Sequence, residues 1–102
     1  MDKNTAISIT KRFIAALPPN LPIKKVYLFG SNVIDMSHED SDIDIAVIFE
    51  DISDYFSTQL LLMRIRRNID LRIEPHPFAE KDFNESDPLA YEILKKGIEF
   101  NV

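Results

Sequence analysis

The sequence contains no cysteine. That excludes a disulfide framework and a thiolate metal site, and makes a reducing cytoplasm the expected location. No apolar run approaches the length of a membrane span, so no bilayer-crossing helix is expected. The opening residues, MDKNTAISITKRFIAALPPN, lack the basic-then-apolar layout of a secretion signal. Repeats, low-complexity tracts and linkers are also missing. Positive charge is in the minority: the formal net charge of −5 argues against steering of the whole molecule toward nucleic acid. Local basic groups do occur, at Lys24 and Lys25, at Arg64, Arg66, Arg67 and Arg72, and at Lys95 and Lys96. They read first as solvated faces and only second as contacts for a polyphosphate.

What is present is one modest core's worth of apolar residues, 45% of a 102-residue chain. A single domain over residues 1–102 is expected. Ile9, Phe13, Ala16 and Leu17 recur at helical spacing until Pro18-Pro19. IKKVYLF reads as a strand broken by Gly30-Ser31, with a short turn or helix through Met36 and a solvated loop, SHEDS, beyond it. DIDIAVIF starts with a period of two and then becomes wholly apolar, which marks a strand entering the core. A helix is expected from about Ser53 to Asn68, with Phe56, Leu60 and Met63 on its buried stripe, widened by Leu61 and Ile65. IDLRIE alternates again, as a strand carrying Asp70, Arg72 and Glu74 on one side and ended by Pro75 and Pro77. Asp87-Pro88 opens a last helix that Gly97 closes, and IEFNV can add an edge strand. The expected fold is α/β or α+β, a small mixed sheet with helices packed on it.

The chemistry concentrates between residues 26 and 49. On a strand, Asp42 and Asp44 present carboxylates to one face while Ile43 and Ile45 take the other. Two such anions repel unless a cation compensates them. Mg²⁺ meets that need, because it prefers hard oxygen ligands and is usually held by one or two carboxylates together with substrate phosphates. Gly30-Ser31 supplies a complementary half: a residue without Cβ lets a phosphate approach the backbone, and the following N–H groups and hydroxyl can donate to it. A calcium loop starting at Asp40 fails, since its sixth position is Ile45 rather than glycine and its twelfth is Asp51 rather than glutamate. A solvated strand face that is merely acidic is the remaining plain reading.

FGS, ten intervening residues and DIDIAV resemble the signature of the polymerase-beta-like nucleotidyltransferase superfamily. The nearest likeness is to the minimal nucleotidyltransferase (MNT) domains of prokaryotes, over nearly the whole chain, and it implies a polymerase-beta palm-like fold. It implies that Gly30 and Ser31 hold nucleotide phosphates and that Asp42 and Asp44 bind Mg²⁺. It also implies a third carboxylate on a later strand, for which Asp70 is the first choice and Glu74 the competitor. The implied reaction moves AMP from ATP to a hydroxyl. Related MNT proteins pair with a HEPN-type toxin and can modify a tyrosine of it, which makes an antitoxin role the expectation. A non-catalytic module acting by contact and a small-molecule nucleotidyltransferase are the alternatives. His38 reads as a loop histidine. His76, between two prolines, can approach a substrate or simply sit in a loop. Arg72 can touch phosphate or form a surface ion pair. Phe13, Phe56, Phe78, Phe83 and Tyr91 read as core or helix anchors.

Overall fold

The computed structural model describes residues 2–33 and 42–102. The expectations for 34–41, the end of the first turn, the polar loop and His38, lie outside the described residues. Helix α1 (Lys3–Ala16) is followed by β1 (Ile23–Phe29), a 3-10 turn (Gly30–Val33), β2 (Ile43–Phe49) and α2 (Tyr55–Arg66). Strand β3 (Ile73–Ala79), a short 3-10 turn (Glu80–Asp82), α3 (Pro88–Lys96) and β4 (Ile98–Phe100) complete the order. The four strands form one mixed sheet in the order β3-β2-β1-β4, with β2 and β3 parallel and the other pairs antiparallel.

Period two divides the sheet cleanly. Val26 and Leu28 of β1, Ile43, Ile45, Val47 and Phe49 of β2, and Ile73 of β3 face α1 and α2 and make the larger core. Tyr27, Phe29, Ala46 and Ile48 face the other way, toward Ile93 of α3, with Phe78 and Phe83 against them. Each helix starts on an aspartate that satisfies orphan N–H groups: Asp2 accepts from Thr5, Asp54 from Phe56 and Ser57, and Asp87 from Leu89 and Ala90. In α1 the buried set is Ala6, Ile9, Thr10 and Phe13. Thr10 is tolerated there because its hydroxyl donates to the Ala6 carbonyl at 2.8 Å. Ala16, expected on the buried side, is exposed.

Two expectations are corrected. In α2 the fully buried residue is Leu62, while Phe56 is 72% exposed and Leu60 is also exposed. Tyr91 of α3 is exposed as well, so neither it nor Phe56 anchors the core. The segment LLLMRI is apolar on nearly every side, so periodicity alone does not choose the face that packs.

The third strand starts at Ile73 rather than Ile69 and runs through both prolines. The Arg72 carbonyl accepts from Ile43 of β2, so alternate residues from Arg72 onward turn their backbone toward β2. Pro75 and Pro77 fall on the other set and look outward from an edge strand, where a missing N–H costs no ladder bond. Helix α2 seals that edge. Arg66 donates to the Ile73 carbonyl at 2.8 Å and Gln59 to the Pro75 carbonyl at 3.1 Å, while the Tyr55 hydroxyl accepts from Ala79 N–H at 3.2 Å.

Candidate active site

The site is built where three strands begin or end together. Phe29, the last residue of β1, pairs in register with Asp44, and Asp44 pairs on its other side with Glu74 of β3. All three belong to the face that carries Ala46 and Ile48, so the aspartate stands at the rim of the smaller core rather than inside the larger one. The isoleucines on either side of it are fully buried on the opposite face. Asp44 is partly buried and Asp42, just ahead of the strand, is exposed.

Gly30 follows at once, with φ +85°. That left-handed conformation is costly for a residue with a side chain. A second constraint is steric: a Cβ on Gly30 would overlap Asp44 Oδ2. The strand end therefore presents bare backbone to the carboxylate, and Ser31 is the second residue of the 3-10 turn that Gly30 opens. The other carboxylate oxygen, Asp44 Oδ1, lies 3.1 Å from His76 Nε2. The His76 ring stands edge-on to Phe29, with centroids 5.1 Å apart.

The family resemblance implies a third carboxylate on a later strand, with Asp70 as first choice and Glu74 as competitor. Asp70 instead lies in the turn ahead of β3, and the fold gives it a different set of contacts. Its carboxylate accepts from the Arg72 backbone N–H at 2.9 Å, from Arg72 Nε at 3.0 Å and from Arg72 Nη2 at 2.7 Å. Those guanidinium bonds hold the Asp70 carboxyl below its usual value of 3.8, against the opposing effect of burial. Glu74 holds the strand position beside Asp44. The missed signal was the alternation of Glu74, His76 and Phe78 with the two prolines, which is the pattern of an edge strand rather than of a strand end.

Tyr27 lies deeper on the same face, against Phe83 with ring centroids 5.3 Å apart. Its hydroxyl donates to Glu99 of β4 at 3.2 Å, and Lys25 reaches the same carboxylate at 2.7 Å. Burial, then the Glu99 charge, raise the Tyr27 hydroxyl above its usual range. This trio links β1 to β4 and has no part in the Asp44 cluster.

The fit to Mg²⁺ rests on the donor set. Asp44, with Glu74 beside it in register and the Gly30–Val33 turn against it, offers the hard carboxylate oxygens that such a cation prefers. Among the described residues no three acidic or histidine side chains form a ready-made cage. Mg²⁺ sites completed by substrate phosphate do not require one.

The family model for polymerase beta nucleotidyltransferases matches residues 11–100. The chain belongs to that family. No curated protein matches it. Among solved structures, the nucleotidyltransferase fold recurs in a toxin–antitoxin determined with AMP-PNP, 21% identical, covering 100% of this chain and 75% of the other at a TM-score of 0.63. It recurs in a Shewanella oneidensis complex of a tri-AMPylated HEPN toxin with an MNT antitoxin, 21% identical over 95% of this chain and 73% of the other, TM-score 0.65. A Sulfolobus solfataricus protein assigned as a nucleotidyltransferase is 24% identical over 96% and 78%, TM-score 0.59. Among the described residues no helix is long and apolar enough to cross a membrane.

Proposed function

We propose that this chain is a minimal, one-domain Mg²⁺-dependent nucleotidyltransferase of the cytoplasm that moves AMP from ATP to a hydroxyl of a HEPN-type toxin, and is that toxin's antitoxin. The observation that carries the reading is the close approach of Asp44 Oδ2 to Gly30, which sets the proposed cation ligand against the proposed phosphate turn. Membership of the nucleotidyltransferase family supports the reaction class, and the AMPylated toxin bound to a structurally similar antitoxin supports the acceptor.

In this reading Gly30 and Ser31 orient the triphosphate, and Asp42 and Asp44 hold the cation. Bound Mg²⁺ would supply neutralisation of the charge on the departing pyrophosphate. The acceptor oxygen bonds to the α-phosphorus, the bond from that phosphorus to the bridging oxygen breaks, and the acceptor's proton leaves to a site carboxylate or water. Positioning and charge stabilisation carry most of the catalysis. The register of β2 and β3 favours Glu74 over Asp70 as the third carboxylate, because Glu74 neighbours Asp44 while Asp70 is engaged by Arg72.

The test is incubation of the full chain with ATP labelled at the α-phosphorus, Mg²⁺ and a HEPN-type toxin. Label is expected on a toxin hydroxyl, falling on the order of 100-fold or more for Asp44→Asn, the scale on which a lost charge-stabilising group acts. Toxin neutralised without label would instead favour an antitoxin that works by contact.

A further inference from the structure

We propose that His76 is the positioning residue for Asp44: its imidazole donates through Nε2–H and fixes the carboxylate for the cation. The inference rests on the nucleotidyltransferase reading and assigns a role that the signature motif does not contain.

The geometry is a clamp with two sides. Asp44 Oδ1 lies 3.1 Å from His76 Nε2, and Oδ2 abuts the α-carbon side of Gly30. In the proposed arrangement Nε2–H donates and the Asp44 carboxylate accepts. The imidazole then engages Oδ1 alone, while Oδ2 lies toward the Gly30 turn. The ring cannot drift far, because it stands edge-on to Phe29 and its backbone sits between two prolines. Pro75 and Pro77 fix φ on either side, and the parallel ladder pairs His76 with Ala46, two residues further along β2 than Asp44. The side chain reaches back along the strand to the carboxylate. His76 is too exposed, at 34%, for core packing to explain it.

Partners that orient a metal-binding carboxylate without touching the metal typically change metal affinity 10- to 100-fold when removed. His76→Phe should retain the ring contact with Phe29 and lose the donor. His76→Gln should restore an N–H donor on a side chain of similar reach.

The experiment titrates Mn²⁺, followed by electron paramagnetic resonance, into the full chain with a nonhydrolysable ATP analogue. Wild type, His76→Phe, His76→Gln and Asp44→Asn are compared, each with its thermal midpoint measured. The expected result is about 10-fold weaker Mn²⁺ binding for His76→Phe at an unchanged midpoint, with most of the loss recovered by His76→Gln. Nitrogen-15 spectra of the metal-free protein should show the Nε2–H tautomer. Equal Mn²⁺ affinity in wild type and His76→Phe, with Asp44→Asn impaired, would overturn the role of His76 and leave the nucleotidyltransferase reading standing. Unimpaired Mn²⁺ binding by Asp44→Asn would overturn both. An Nδ1–H tautomer would overturn the donor assignment, and with it the proposal.

Discussion

Gly30 carries two demands at one position, a positive φ and the absence of a Cβ beside Asp44. Gly30→Ala should lower stability by about 1–3 kcal/mol, the usual scale for a side chain forced into this region, with thermal unfolding as the readout. It should also reduce nucleotide transfer by more than that destabilisation explains, because the carboxylate has to move. Asp70 makes a different prediction. Its folded-state pKa is depressed by Arg72, so its stabilising contribution is present above the unfolded value, near 3.8, and is lost as pH falls through the folded value. Asp70→Asn should therefore be less stable than wild type at neutral pH, and the gap should close in acid below about pH 4 in denaturant titrations. The turn after β1 and the alternation that sets Asp44 apart from Ile43 and Ile45 were legible in the sequence because each lies on adjacent residues. The neighbour of Asp44 was not legible. Whether Asp70 or Glu74 lies beside Asp44 depends on the β2–β3 register, a pairing between segments some thirty residues apart that no local pattern fixes.

At the scale of elements, α2 separates what periodicity can and cannot decide. Leu62→Ala should cost about 2–5 kcal/mol in chemical denaturation, whereas Phe56→Ala should stay within about 0.5 kcal/mol, the reverse of the order the apolar stripe suggests. Helix existence was legible from Asp54 at its start and the apolar density after it. The buried face was decided by packing against β3, which the sequence of α2 does not encode by itself. The strands β1 and β2 were read almost residue for residue, since each alternates or runs apolar between clear breaks. For β3, proline marks an end only where its N–H is needed, and its outward position on an edge makes it compatible with the strand. The seal from Gln59 and Arg66 explains why the edge holds together there.

For the whole molecule, binding and stability are linked. If Mg²⁺ and nucleotide meet at the Gly30–Asp44 rim, an ATP analogue with Mg²⁺ at a hundred times its dissociation constant should stabilise the fold by about 2.7 kcal/mol. Calorimetry should show the rise in melting temperature with both present, and neither with chelator nor in Asp44→Asn. The two flanks of the sheet differ in what they can accept. On β3, the outward backbone positions are Ile73, whose N–H is bonded to the Asp70 carbonyl, two prolines, and Ala79, whose N–H is bonded to Tyr55. None of these offers a donor to an incoming strand. Growth of the sheet by strand addition, whether from a second copy or an extended peptide, is thus one-sided: it is confined to the β4 flank, and the flank that carries Glu74 and His76 is kept free of it.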